Sequence, residues 1–220
     1  MPNRRWYTKG FWSCACVALL AGASLAALHF ARPARHAEKT NAALLPANDA
    51  GVRRVVANTF GDAVTLAGTG PEYISGDFNG DGSADIAVLV RPAPGKLDQL
   101  NSPSANWIIR DPRKVFLPGP HERVMKMDPH PRPEKVQASD VLIAMIHGVG
   151  RDGWRGPLTQ QIFLLRNVAG SMPVAEYPTR LPWQPHSSTV IRETAGHSEG
   201  YIYWVGTMYA WHPLKRTAGK

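Results

Sequence analysis

Nine short apolar runs, rich in β-branched and aromatic residues, are spread between Val55 and Val205 and separated by proline and glycine. They include Val64-Thr65-Leu66, Tyr73-Ile74, Ile86 to Val90, Trp107-Ile108-Ile109, Val115-Phe116-Leu117, Val141 to Ile146, Ile162 to Leu165 and Tyr201 to Val205. Between them stand clusters such as Arg91-Pro92-Ala93-Pro94-Gly95, Pro118-Gly119-Pro120 and Asp128-Pro129-His130-Pro131. Short runs with this punctuation predict a mainly β domain. Apolar spacing suited to a helix recurs only at Trp204, Val205, Met208 and Trp211, where Gly206 and Thr207 favour a strand or hairpin. With 44% hydrophobic residues in 220, the chain is too apolar for disorder and long enough for one cored domain.

The formal net charge of +8 suggests an anionic partner until it is located. Arg4, Arg5, Lys9, Arg32 and Arg35 precede the first acidic residue, Glu38, so residues 1–37 hold most of the excess. The basic residues beyond them are interspersed with acids and form no basic-aromatic stripe, which argues against nucleic acid. Gly10 to Ala31 is uncharged and mostly apolar, long enough to span a bilayer as one hydrophobic helix. Small residues at Ala21-Gly22-Ala23 and Ser24-Leu25-Ala26 also suit a cleaved signal peptide. Either fate places the body outside the cytoplasm, in the cell envelope or periplasm, with membrane contact through the N-terminal segment only. Both cysteines, Cys14 and Cys16, lie in this segment, so the body has no disulfide and must depend on its core or on a metal ion. Residues 38–52 read as a linker, 53–212 as the β domain and 213–220 as a tail.

A faint repeat runs through the body. Ser83 to Val90 is similar to Ala138 to Met145, and each is followed by an aromatic-aliphatic-aliphatic-Arg run, Trp107 to Arg110 and Phe163 to Arg166. The spacing from Asp85 to Arg110 is 25 residues and from Asp140 to Arg166 is 26, the size of a small β-blade. Two similar buried strands arising independently explain the same pattern.

The stretch richest in chemistry is Asp77-Phe78-Asn79-Gly80-Asp81-Gly82-Ser83-Ala84-Asp85. Oxygen-bearing side chains at Asp77, Asn79, Asp81 and Asp85 occupy positions one, three, five and nine of a calcium loop. Spacing by two lets a curled backbone converge successive oxygens on a hard cation; Gly82 permits the turn, and Ser83 offers its backbone carbonyl. Three carboxylates offset the charge of Ca²⁺. Position twelve is Val88 rather than the bidentate Glu of an EF-hand, and the flanks look like strands. The absence of that Glu predicts weak affinity, about 10⁻⁴ to 10⁻³ M. Gly76 to Leu89 resembles the FG-GAP/VCBS type of repeat. That resemblance implies a calcium loop between two strands of a blade, in an exported or cell-surface protein. It covers about 20 residues clearly; in the second copy Gln137-Ala138-Ser139 replaces the ligand-bearing loop, so one Ca²⁺ site is expected. The blades are expected to form an incomplete propeller or open, sandwiched antiparallel sheets, with a binding or scaffolding role toward a protein or glycan.

Two other signals point to different functions. Gly196-His197-Ser198-Glu199-Gly200 matches the G-x-S-x-G elbow, and His147-Gly148-Val149-Gly150 resembles a hydrolase oxyanion loop. No acid follows Glu199 to orient His212, and alternating βα units are absent, so Gly196 to Gly200 reads as a hairpin turn and His147 to Trp154 as a loop. A single strand from Tyr201 to Trp211 would align Tyr201, Tyr203, Val205, Thr207, Tyr209 and Trp211 on one face, either for core packing or for stacking on a sugar. His121, Asp128 and His130 match no metal-ligand spacing.

Overall fold

A computed structural model describes residues 49–68, 72–117, 133–169, 174–175, 181–184, 188–195 and 198–214. The N-terminal apolar segment, His121, Asp128, His130, Gly196, His197 and residues 215–220 lie outside the described residues. No helix among the described residues is long and apolar enough to cross a membrane.

The body begins with a helix, α1 (Asp49–Phe60), which overlaps the expected linker at 49–52 and replaces the strand read at Val55-Val56. Val52, Val56 and Phe60 recur every four residues and are buried. Spacing by four sets them along one face of a helix. Each contributes about 1.5–3 kcal/mol by leaving water.

This apolar face packs on a six-stranded sheet built from β1 (Val64–Leu66), β2 (Tyr73–Gly76), β3 (Asp85–Pro92), β4 (Ile108–Arg110), β5 (Leu142–Gly148) and β6 (Thr159–Leu165). β3 is central, with β1 and β2 antiparallel to successive stretches of one edge and β5 antiparallel on the other. β6 pairs antiparallel with β5, and β4 closes the far edge parallel to β6. A second sheet has the order β10 (Tyr209–Pro213), β9 (Ser198–Trp204), β8 (Val190–Ala195) and the two-residue β7 (Val174–Ala175). A short helix, α2 (Leu97–Leu100), connects β3 to β4.

Alternation along the strands creates two apolar layers. Ile86, Val88 and Val90 of β3, with Leu142, Ala144 and Ile146 of β5, meet α1. Their neighbours Ala87, Leu89, Ile143 and Met145 face the other way, onto Ile191, Ile202, Trp204 and Tyr209 of the second sheet. The outer face of that sheet is covered by Leu181 and by Val115 and Leu117, which follow a 3₁₀ turn rather than forming the expected strand.

The fold is therefore mainly β with two facing sheets and no closed barrel. The two copies of the repeat do not make separate blades: β3 and β5, which carry the similar segments, are neighbours in one sheet. β5 pairs directly with β6, but β3 has no pairing with β4. Their likeness is that of two strands buried on both faces.

The aromatic C-terminal segment also departs from expectation. It is a hairpin of β9 and β10, with Tyr209 opposite Trp204. The turn between them breaks the proposed single face: Tyr201 and Tyr203 pack outward with Ala210, whereas Trp204, Tyr209 and Trp211 pack toward the first sheet.

Candidate cation-binding loop

Between β2 and β3 the chain curls through Asp77 to Ala84 at one end of the first sheet. Gly80 and Gly82 adopt φ of 79° and 87°, a region that side chains enter at a cost. The curl is held by its own acidic side chains. Asp77 Oδ1 accepts from the backbone N–H of Gly80 at 2.7 Å and of Asp81 at 3.1 Å, and its Oδ2 accepts from Gly82 at 2.9 Å. Asn79 Oδ1 accepts from Asp81 N at 3.0 Å, and Asp81 Oδ1 accepts from Ser83 N at 2.7 Å.

The five residues expected to act together divide into two groups. Asp77 and Asn79, half-buried, and Asp81, exposed, form the outer group: Asp77 Oδ1 and Asn79 Oδ1 share the Asp81 amide, and Asn79 Nδ2 donates to Asp81 Oδ2 at 2.9 Å. Ser83 and Asp85 turn inward. Asp85 is fully buried; its Oδ2 accepts from Phe78 N at 2.9 Å and Asn79 N at 3.3 Å, and its Oδ1 accepts from Gly148 N at 2.8 Å. Ser83 Oγ accepts from Gly150 N at 3.0 Å. Asp85 and Ser83 thus fasten the loop to the end of β5.

This fastening gives the glycines of His147 to Gly150 their role. His147 and Gly148 belong to β5 rather than to a loop, and the amides of Gly148 and Gly150 are taken by Asp85 and Ser83 instead of facing an open oxyanion pocket. A Cβ on Gly148 would lie 2.1 Å from the carbonyl oxygen of Ala84 and 2.2 Å from Trp154 N. Only glycine lets that segment close over Ala84, where Trp154 N donates to Ala84 O at 2.7 Å. The loop is tied to the second sheet as well, through Thr189 N donating to Asp77 O at 2.6 Å.

His147 backs the loop and carried no sequence signal of doing so, being 68 residues from Asn79. Only 1% exposed, it lies among Phe163, Trp204 and Tyr209, with ring centroids 5.1–5.8 Å away. Nδ1 is 3.4 Å from Asn79 Nδ2 and Nε2 is 2.6 Å from the Tyr209 hydroxyl. Asn79 Oδ1 is committed to Asp81, so Nδ2 faces the imidazole as a donor; Nδ1 then accepts and Nε2 carries the proton. Burial pushes the His147 pKa down to about 4, against a smaller upward pull from the Asp81 charge, so the ring is neutral near pH 7.

Burial and mutual repulsion act on the carboxylates of the loop. Burial raises the Asp77 carboxyl, and Asp81 pushes it the same way. Burial takes Asp85 to about 7 despite its backbone hydrogen bonds, with the charges of Asp81 and Asp77 adding to the rise. The ion pairs among the described residues, such as Lys96 with Asp62 and Arg166 with Asp140, lie elsewhere and give these aspartates no cationic side chain. Among the described residues no three His, Cys, Asp or Glu side chains form a ready-made metal cluster.

The donor set nevertheless fits a hard cation. Asp77, Asn79 and Asp81 present carboxylate and amide oxygens on the outer side of the loop, and no ion pair among the described residues neutralises them. Asp85 fits less well as a direct ligand, because it is fully buried with both oxygens on backbone amides, whereas Asp77, whose oxygens also hold backbone amides, is only half-buried.

The serine of the G-x-S-x-G match opens strand β9, opposite Ala195 of β8, and is exposed. A nucleophile elbow needs a strand-to-helix turn at that point. Trp211, half-buried, lies under the Arg113 guanidinium at 4.8 Å.

No protein-family model, curated protein or solved structure matches this chain.

Proposed function

We propose that the protein is an extracytoplasmic, calcium-binding β domain of the FG-GAP/VCBS kind, non-catalytic and engaged in binding or scaffolding in the cell envelope. The N-terminal apolar segment anchors it to the membrane or exports it. One observation carries the calcium reading: the oxygens of Asp77, Asn79 and Asp81 gather on the outer side of a loop to which no ion pair among the described residues brings a cation. Bound calcium would supply the missing positive charge there. The chain's own part is to hold the loop in shape from behind, through Asp85, Ser83 and the amides of Gly148 and Gly150. The strand geometry at Ser198 and the inward packing of Trp204 and Tyr209 support a non-catalytic role without a C-terminal stacking face.

Thermal unfolding of the full chain tests this. With a dissociation constant of about 1 mM, 10 mM Ca²⁺ stabilises the folded state by about 1.4 kcal/mol, a rise of roughly 3–6 °C in Tm. Asp81→Ala should abolish the rise. If chelator and calcium leave the parent protein melting at the same temperature, the calcium role is wrong.

A further inference from the structure

A groove of about 470 Å³ opens between α1 and the first half of β6, within the size range of small-ligand sites. β4 pairs only with Phe163, Leu164 and Leu165, so Thr159 to Gln161 have no strand on that side and their edge borders the groove. The polar residues lining it are Asn58, Thr59, Asn106, Thr159, Gln160 and Gln161. None of its lining residues is charged, in a chain where 19% of residues are. The side-chain amides of Asn58, Asn106 and Gln161 form no hydrogen bond with another described residue, which leaves both their donors and their acceptors available.

We infer that this groove is a binding site for a neutral polyhydroxylated ligand, an uncharged oligosaccharide. Sugar hydroxyls donate and accept at one atom, and a side-chain amide meets that pattern with a carbonyl and an NH₂ group side by side. A charged ligand entering the groove would lose hydration without meeting a countercharge. Ile108 and Ile162 add apolar surface for the C–H face of a sugar ring. Asn58 stands on α1 and Gln161 on β6, while Asn106 lies in the bend just before β4. Two cations, Arg54 and Arg155, line an adjoining recess, with Arg155 stacked on Trp154 at 4.2 Å.

The groove also touches the loop. Gln160 Oε1 accepts from Asn79 Nδ2 at 3.4 Å, so reorientation of the Asn79 amide frees one groove amide. Sugar binding itself does not depend on the calcium reading.

The test is an NMR titration of the isotopically labelled full chain with cellotetraose, maltotetraose and chitotetraose. Tetragalacturonate and an uncharged Ser/Thr heptapeptide serve as competing probes. One neutral sugar should shift the side-chain NH₂ signals of Asn58, Asn106 and Gln161. Asn106→Ala and Gln161→Ala should each weaken that sugar about fivefold, the effect of one lost hydrogen bond. Their melting temperatures should stay at the parent value, because neither amide bonds within the described chain. Failure of all three neutral sugars, binding of only the acidic sugar or the peptide, or shifts confined to the Trp211 region would overturn the inference. Repeating the titration in chelator separates the two proposals: sugar binding unchanged by chelator, in a chain whose melting ignores calcium, leaves the groove standing and removes the calcium site.

Discussion

Two buried carboxylates, one in each sheet, are handled in opposite ways. Asp85, on β3, is fully buried and accepts three backbone N–H groups, from Phe78, Asn79 and Gly148. Glu193, on β8, is 1% exposed; its Oε1 accepts from Ala169 N, but its Oε2 has no hydrogen-bond partner among the described residues. Burial is the main cause that lifts both to about 7; at Glu193 the Ala169 amide and the more distant Arg113 charge oppose it. Similar folded pKa values therefore conceal different structural value. Removing Asp85 orphans three amides and frees the loop; removing Glu193 orphans one and relieves a buried acceptor that lacks a donor.

The largest effect expected along this contrast comes from Gly148, whose amide is one of the three on Asp85. Gly148→Ala places a methyl group 2.1 Å from backbone, and a loss of about 4–5 kcal/mol should be visible in urea unfolding. Asp85→Ala should cost about 3–5 kcal/mol by the same measurement, since each unsatisfied buried amide costs about 1–3 kcal/mol. A loss below about 1 kcal/mol would mean that the loop does not depend on this bracket.

The pH dependence sharpens the comparison. The unfolded chain releases the protons of Asp85 and Glu193 near their ordinary carboxylate pKa values of 3.8 and 4.5, while the folded chain holds them to about 7. Their contribution to stability is therefore lost as pH rises through that window. His147 works the other way: the unfolded ring protonates near 6.5 and the folded ring only near 4, so its contribution is lost as pH falls. Around pH 5–6, two carboxylates against one imidazole leave the calcium-free protein losing about 1.4 kcal/mol per pH unit as pH rises, with Asp77 acting in the same direction. Glu193→Gln should reduce that slope by about 1.4 kcal/mol per unit. An unchanged slope would show that Glu193 is not a buried titrating group. The smallest effect belongs to Glu193→Leu, expected to be neutral or stabilising by about 1 kcal/mol at pH 8, where the parent carries a buried charge.

Much of this architecture was legible in the sequence because its strands are buried on both faces. Ile86 to Val90, Val141 to Ile146 and Ile162 to Leu165 read as continuous apolar runs, and β3, β5 and β6 lie there. α1 escaped because Val55-Val56 looks like a strand fragment, although Val52, Val56 and Phe60 carry a four-residue period. β8 has two apolar residues followed by Arg192 and Glu193, and nothing local says that Glu193 points inward beside Ile191. At the site, the spacing by two of Asp77, Asn79 and Asp81 goes with the sharing of the Asp81 amide by Asp77 Oδ1 and Asn79 Oδ1. The division of labour did not follow from spacing, because Asp85 and Ser83 are diverted by amides more than 60 residues away. His147 came to the loop by sheet pairing alone, with Ala87 and Ile86 opposite Met145 and Ile146.

The most direct measurement of the central claim is calorimetric titration of the full-length chain with CaCl₂ at pH 7.5, in the parent, Asp81→Ala and Glu193→Gln. One binding event with a Kd of about 10⁻⁴ to 10⁻³ M is expected in the parent and in Glu193→Gln, and none in Asp81→Ala. Absence of binding in the parent, or binding that survives Asp81→Ala unchanged, would contradict the assignment of calcium to this loop.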